Sequence, residues 1–232
     1  MKRVTLTFDN GPTPGITERV LDVLRERAIH ATFFVIGSNL ADPRAFALLD
    51  AIAADGHWIG THTLTHSIAL GEATEPGYAA REIGEPQRLI GRYSRPEKLF
   101  RPYGNLGLIG EHLLSEDALA YLLEHRQTCV LWNSVPHDWD DQQHWVERCV
   151  ADVARQDWTV VVLHDIDDAV LARLPELLDR LAAAGVEIVQ DFPDDVILTR
   201  DGATVSLEPG HVAGRLARAG RPSPDDGGPA GA

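Results

Sequence analysis

Cysteine, positive charge and long apolar runs are all scarce in this sequence of 232 residues, and each scarcity excludes a class of protein. The two cysteines, Cys129 and Cys149, cannot supply a disulfide framework, and their spacing fits no zinc-knuckle pattern. The 21 Lys and Arg residues are outnumbered by 35 Asp and Glu residues, which leaves a net charge of −14. Nucleic acids and anionic membrane surfaces bind to basic faces, so neither is expected as a partner.

The chain also lacks the apolar segments that would place it in a membrane. No stretch approaches the roughly 20 apolar residues of a transmembrane helix. The N-terminal segment MKRVTLTFDNGP has two basic residues but neither the apolar core nor the small-residue cleavage site of a signal peptide. We therefore expect a soluble cytoplasmic protein, or a secreted one if the true start lies upstream.

What the sequence does contain is an alternation of short apolar segments and longer helical patterns. Two helical patterns are clear, at residues 16–27 and 167–185, and the second ends at Gly185, where a C-terminal cap is expected. Strands are predicted at residues 4–9, 31–37, 57–63, 99–103, 128–133, 159–164 and 186–190. Strands separated by helix-length segments predict an α/β fold, a small or incomplete (β/α) barrel of about seven parallel strands. An open doubly wound sheet is the alternative.

The pattern changes after residue 190. Residues 194–208 predict a short hairpin around Asp201-Gly202, a pair that favours a tight turn. From residue 209 the chain is mostly Ala, Gly, Pro and Arg. We therefore predict one domain over residues 1–208 and a disordered tail over residues 209–232.

Polar residues follow five of the predicted strands, at the edge where active sites of parallel barrels form. They are Asp9, Asn10, His62, His66, Arg101, Tyr103, Asp138, His164 and Asp165. His62 and His66 are four residues apart, so one helical turn would direct both imidazoles at one ion. Taken singly, each signal also has an ordinary explanation, because Asp-Asn-Gly-Pro favours a turn and a histidine ending an apolar strand can be a core residue.

Five motifs together carry more information than any one of them. They are TFDNGP at residues 7–12, HTLTH at 62–66, FRPYG at 100–104, WNSVPHDW at 132–139 and VLHD at 162–165. In content and order they closely resemble the motifs of the polysaccharide deacetylase family (carbohydrate esterase family 4, NodB homology domain). The fold implied by this resemblance is a distorted (β/α) barrel, which agrees with the strand pattern.

The resemblance implies a metal-dependent hydrolase. A divalent metal, zinc by expectation and cobalt as an alternative, would be held by His62, His66 and Asn10. Asp9 would be the general base that takes a proton from a metal-bound water. The implied substrate is an N-acetylated amino sugar of the chitooligosaccharide or peptidoglycan type.

The same resemblance assigns the remaining site residues. His164 would be the general acid that protonates the leaving amine. The metal and the backbone N–H of Tyr103 would stabilise the tetrahedral oxyanion. Trp139, Asp138 and Leu163 are predicted to line the substrate pocket.

The sequence departs from the family pattern in three places. Asn10 stands where the family usually has a second aspartate, so we expect weaker metal binding and a more electrophilic ion. Arg101 lies one residue closer to the following proline than in the family, and Val135 occupies the position of the aspartate that usually partners this arginine. We therefore expect the support of Asp9 to be remodelled. The candidates to replace the missing partner are His137, Asp138 and Asp140.

Two other functions remain open from the sequence. A small-amide or ureide hydrolase, like the allantoinase-like branch of the family, could use the same scaffold. A catalytically inactive sugar-binding protein would explain the three departures as decay of the site, although the base, the acid and both histidines are retained.

Overall fold

Residues 1–214, the part of the chain that the computed structural model describes, form a sheet of nine strands and six α-helices. The strands are β1 (Arg3–Asp9), β2 (Thr32–Val35), β3 (Trp58–Thr61), β4 (Leu99–Phe100), β5 (Thr128–Val130), β6 (Trp158–His164), β7 (Glu187–Val189), β8 (Ile197–Arg200) and β9 (Ala203–Thr204). The helices are α1 (Thr17–Glu26), α2 (Ala45–Ala54), α3 (Tyr78–Ile90), α4 (Glu116–Glu124), α5 (Trp145–Arg155) and α6 (Asp168–Ala183).

The sheet is a distorted barrel, as the sequence predicts. Its strand order is β6-β1-β2-β3-β4-β5-β8-β9, and all pairings among β1 to β7 are parallel. Strands β1 to β5 therefore follow one another around the sheet, without the reversal of order that defines a doubly wound sheet. Ser134, beyond β5, bridges to Val161 in β6 and brings the two sides of the curled sheet together.

Strand β1 lies at the centre of this arrangement. Along one edge it pairs with β6 over its whole length, from Arg3 opposite Trp158 to Asp9 opposite His164. Along the other edge, its first half pairs with β7 and its second half with β2. The β1–β6 register places Asp9 and His164 side by side at the C-terminal end of the sheet.

The longest helix, α6, has the N-terminal signal and the apolar stripe that make it a helix. Asp167 caps it by accepting a hydrogen bond from the backbone N–H of Ala169 at 2.7 Å. Gly185, at φ 64, follows its end and allows the left-handed turn back toward β7. The buried residues of α6 pack in one apolar cluster with the outward side chains of β1 and β6, whereas a second cluster contains the inward side chains of β6 and the buried faces of α3 and α4.

The C-terminal part contains the predicted hairpin, and the packed domain extends beyond the predicted boundary at residue 208. Strands β8 and β9 are joined at Asp201-Gly202, both at positive φ as a tight hairpin turn requires. The start of the tail predicted at residue 209 is too early, because Pro209–His211 forms a 3₁₀ turn. Val212 is fully buried and bridges to Leu114, so this apolar side chain extends the packed domain. The rest of the predicted tail, residues 215–232, lies outside the described residues.

Within residues 1–214, no helix combines the length and the apolar character needed to cross a membrane.

Candidate active site

Asp9 ends β1 and is paired directly with a buried arginine. Its side chain is almost fully buried, and its Oδ1 accepts a hydrogen bond from Nη1 of Arg101 at 2.9 Å. The same nitrogen donates to the hydroxyl of Thr7 at 2.6 Å. The carbonyl groups of Val130 and Leu131 accept the other guanidinium hydrogen bonds, at 3.3 and 3.1 Å. A buried ion pair is tolerated when its remaining donors are bonded in this way. Arg101 fixes Oδ1 of Asp9 and makes no hydrogen bond to Oδ2.

The shorter spacing in the third motif therefore does not remove Arg101 from the site. The arginine reaches Asp9 without an intervening aspartate, and its other hydrogen bonds go to the Thr7 hydroxyl and to backbone carbonyls. Val135, at the position of the missing aspartate, lines the cleft instead. Two of the predicted replacements, His137 and Asp140, pair with each other at 3.4 Å and not with Arg101.

The third predicted replacement, Asp138, belongs to His164. One carboxylate oxygen accepts from the His164 backbone N–H and the other lies 2.8 Å from its Nδ1. Burial lowers the pKa of His164, but the hydrogen bond and charge of Asp138, with the charges of Asp9 and Asp165, outweigh it and raise the pKa overall. His164 therefore keeps its proton to a higher pH than an ordinary histidine.

His62 and His66 meet at the same cleft, with ring centroids 4.8 Å apart. Nδ1 of His62 lies 2.9 Å from the carbonyl oxygen of Arg101, to which it can only donate. Its Nε2 then carries the lone pair and lies 3.7 Å from Oδ2 of Asp9. Burial lowers the pKa of both histidines, that of His66 to about 3. Both are consequently neutral near pH 7, the form in which imidazole binds a metal.

The helical turn predicted between these histidines is wrong. Residues 62–66 form a loop in which Thr63 and His66 have left-handed backbone, at φ 57 and 51. The backbone N–H of His66 bonds to the Thr63 hydroxyl at 3.1 Å, and Glu82 accepts hydrogen bonds from the two preceding N–H groups, those of Leu64 and Thr65. Side-chain acceptors thus replace the helical hydrogen bonds, which the four-residue spacing could not indicate.

Asn10 supplies a third possible ligand. Its backbone is left-handed at φ 74, and its Oδ1 is buried without a hydrogen-bond partner among residues 1–214. An unpaired buried amide oxygen is costly unless a ligand satisfies it. No three His, Cys, Asp or Glu side chains in the described chain are grouped to hold a metal. Two neutral imidazoles and the free oxygen of Asn10 therefore form the donor set that fits a metal here.

The cleft above these residues encloses about 210 Å³. Of the predicted wall residues, Trp139 lines it, with its ring centroid 4.7 Å from that of His164. Tyr103 lines it as well, and its ring packs on His66 at 4.2 Å. Asp138 does not line the cleft, because it is buried behind His164.

Leu163 is also misplaced by the sequence reasoning. Neighbouring residues of a strand point to opposite faces, so Leu163 packs outward in the layer beneath the helices. Its neighbour Val162 points into the cleft instead. The sequence reasoning missed several wall residues, among them Val162, Val135, Trp132, Leu106 and Ile166. Counting alternation back from His164 would have selected Val162.

A second missed contact lies below the first motif. Asp165 is fully buried, and its carboxylate packs so tightly on Gly11 that a methyl group there would overlap it. Its Oδ2 accepts a hydrogen bond from the Thr17 hydroxyl at 2.5 Å, and Thr17 in turn accepts from the Thr13 backbone N–H. Burial raises the pKa of Asp165 to about 6. Asp165 thus anchors the loop that carries Asn10.

Comparison with known proteins is consistent with this geometry. A family model described as polysaccharide deacetylase matches residues 1–108. A chitooligosaccharide deacetylase from Bradyrhizobium sp. (strain ANU 289) is 35% identical over 170 residues, covering 71% of this chain and 71% of that protein. The peptidoglycan-N-acetylmuramic acid deacetylase PdaC from Bacillus subtilis (strain 168) is 29% identical over 194 residues, covering 81% of this chain but 38% of PdaC.

Solved structures of carbohydrate esterases have a fold similar to that of this chain. The family 4 carbohydrate esterase from Streptomyces lividans in complex with acetate is similar to this chain with a TM-score of 0.68 and 26% identity. The similarity covers 84% of this chain and 96% of that one. The relatives described here by sequence are deacetylases, and they match over most of this chain.

Proposed function

Since the chain belongs to the polysaccharide deacetylase family, a family of hydrolases acting on the amide bonds of N-acetylated sugars, we propose that it removes the acetyl group of an amino sugar in an oligo- or polysaccharide. The observation that carries the proposal is the pairing of Asp9 and His164 at one cleft. They end neighbouring strands, and a separate buried partner holds each of them. An amide hydrolase needs such a pair, a base for the nucleophile and an acid for the leaving nitrogen.

The two side chains have different roles because their partners differ. Arg101 occupies Oδ1 of Asp9, so Oδ2 is the atom that takes the proton of the attacking water. Asp138 occupies Nδ1 of His164, so Nε2 is the atom that protonates the leaving amine nitrogen. The charge of Asp138 favours the protonated ring, which is the form that an acid must have before the amide bond breaks.

A divalent metal would be held by His62, His66 and Asn10. When bound, it supplies Lewis acidity to the substrate carbonyl and lowers the pKa of a coordinated water. The unpartnered Oδ1 of Asn10 and the neutral rings of the histidines support this donor set. Such ligands suit zinc, with cobalt as the alternative. An amide at position 10 leaves the ion with more positive charge than a carboxylate would.

The walls of the cleft suit an N-acetyl group on a sugar ring. Trp132 and Trp139 offer aromatic surface, and Val135 and Val162 give an apolar lining beside His164. A methyl group and the apolar face of a pyranose both bind to such surfaces. We infer that the substrate is of the chitooligosaccharide or peptidoglycan type, the two classes named in the relatives. The backbone N–H of Tyr103 is proposed to bind the oxyanion.

The experiment is acetate release from N-acetylglucosamine oligomers and from muropeptides. Protein treated with a chelator is assayed with and without zinc or cobalt, beside the Asp9→Ala and His164→Ala variants. We expect metal-dependent release that falls by about 100-fold or more in each variant. Asp140→Ala is the matched control, because this exposed carboxylate pairs with His137 outside the cleft lining and should leave the rate unchanged.

Two results would contradict the proposal. Metal-dependent hydrolysis of ureides or small amides without acetate release from sugars would favour the small-amide hydrolase. Binding of sugar oligomers without turnover, with and without metal, would favour the inactive sugar-binding protein.

A further inference from the structure

The loop of residues 62–66 carries both proposed metal-binding imidazoles without regular secondary structure. His62 directly follows β3, and the carbonyl of Arg101 fixes its ring. His66 lies beyond that support and has left-handed backbone. The position of His66 relative to His62 therefore depends on what holds the residues between them.

Those residues are held from two sides. The carbonyl groups of Thr63 and Leu64 accept hydrogen bonds from the backbone N–H groups of residues 37–38, at 3.0 and 2.8 Å. The N–H groups of Leu64 and Thr65 both donate to one oxygen, Oε2 of Glu82, at 3.1 and 2.8 Å. The Thr65 hydroxyl lies 3.1 Å from the same oxygen. A single carboxylate oxygen thus accepts both backbone N–H groups of Leu64 and Thr65, while the N–H of His66 bonds to the Thr63 hydroxyl within the loop.

Glu82 is an unusual residue for its place in the fold. It lies on the buried face of α3, is 1% exposed, and is the one charged member of that face. A carboxylate in such a place costs free energy unless hydrogen bonds replace its lost hydration. An apolar residue, like the neighbouring Ile83, would pack there without that cost. One of its oxygens, Oε1, lies 3.6 Å from Nε of the adjacent Arg81, and the other, Oε2, accepts the hydrogen bonds of the loop between the two histidines. The donors of the loop thus explain the placement of Oε2.

We propose that Glu82 is a positioning residue of the metal centre, which fixes the 62–66 loop so that His66 faces the same ion as His62 and Asn10. The proposal rests on the proposed function, since it requires these histidines to bind a metal. Loss of the carboxylate frees two backbone N–H groups and lets His66 move, whereas His62 keeps its bond to Arg101. Zinc affinity then falls, because outer groups that orient ligands contribute about 10–100-fold to metal binding.

The test measures zinc affinity by competition with a chromophoric chelator, on wild type, Glu82→Ala, Glu82→Gln and Glu85→Gln. Glu85 is the matched control, about one turn further along the same helix but only half-buried and paired with Arg88. We expect the dissociation constant to rise about 10–100-fold in Glu82→Ala. The rise should be smaller in Glu82→Gln, whose amide oxygen still accepts, and absent in Glu85→Gln. Circular dichroism at the assay temperature verifies that each variant is folded.

A second readout separates positioning from general destabilisation. In histidine ¹⁵N spectra of the metal-free protein, the ring signals of His66 should shift in Glu82→Gln while those of His62 stay in place. Folded Glu82 variants that bind zinc as tightly as wild type would overturn the inference and leave the proposed function intact. Wild-type protein that binds no zinc would instead overturn the proposed metal centre, and the inference with it.

Discussion

Asp9 and His164 are neighbours in the sheet, yet each is hydrogen-bonded to a different charged partner. Arg101 keeps one oxygen of Asp9 occupied, and Asp138 keeps one nitrogen of His164 occupied. Arg101 follows β4 and Asp138 follows β5, so the two side chains are held by separate parts of the sheet. Asp138 in particular is expected to set the pH range over which His164 remains a proton donor.

We therefore predict that Asp138→Asn narrows the pH profile on its alkaline side. Asp138 raises the pKa of His164, so wild-type His164 keeps its proton as the pH rises and loses it only above its ordinary range. Without the carboxylate charge that pKa falls, and the alkaline limb of kcat/KM should move to lower pH by about one unit or more. The measurement is a pH–rate profile of wild type and variant.

Asp140→Asn is the control for that profile, because it removes a nearby carboxylate that contacts His137 and not His164. An alkaline limb that stays in place in Asp138→Asn would mean that another group limits the reaction at high pH.

Among the elements, the contact between the first-motif loop and the end of β6 leaves no room for an added methyl group. Asp165 fills the space above Gly11 and is tied to α1 through Thr17. We predict that Gly11→Ala destabilises the protein by about 1–3 kcal/mol, as overpacking of a buried site does. It should also lower kcat/KM, because the loop that moves carries Asn10. Chemical denaturation and steady-state kinetics measure the two effects.

Gly15→Ala provides the comparison within the same loop. Gly15 has φ 87 but nothing within 4 Å of an added Cβ, so this variant introduces backbone strain without overlap. Activity lost equally in both variants would show that backbone strain, and not the contact with Asp165, explains the effect.

The elements also show how far the sequence could predict the structure. Strand periodicity and helix caps predict the alternation of strands and helices, α6 and the β8–β9 hairpin, because each depends on local pattern. The order of the strands in the sheet depends on pairing between distant segments, so periodicity left the barrel and the doubly wound sheet as alternatives. The support of Asp9 by Arg101 and of His164 by Asp138 depends on strands distant in sequence, so motif spacing alone suggested the wrong partners. The conformation of the loop at residues 62–66 was predicted wrongly for another reason. Glu82, which accepts its backbone hydrogen bonds, lies on a later helix.

Residues 209–214 illustrate the limit of composition. A stretch rich in Gly, Pro and Ala predicts disorder, yet one apolar side chain, Val212, is enough to bury part of it beside Leu114. The side-chain alternation that separates Val162 from Leu163 was, by contrast, available in the sequence.

For the whole molecule, a ligand that binds only the folded chain stabilises it. We predict that zinc at about 100 times its dissociation constant adds about 2.7 kcal/mol to the free energy of unfolding. For a chain of this size that corresponds to a rise in Tm of about 5–10 °C. Thermal unfolding with and without zinc measures the shift, which should be lost in His66→Ala. His144→Ala should retain it, because the exposed His144 pairs with Asp141 outside the cleft lining.

The two-sided pairing of β1 has a consequence for how the chain acquires its structure during synthesis. Residues 7–9 can pair with β2 early, but Arg3 and its neighbours find their strand partners in β6 and β7, opposite Trp158 and Glu187. Synthesis proceeds from the N-terminus, and contacts distant in sequence form slowly. Strand β1 leaves the ribosome before β2 to β9 and yet is among the last of these strands to be completed, and the proposed catalytic pair at its end cannot assemble before β6 arrives.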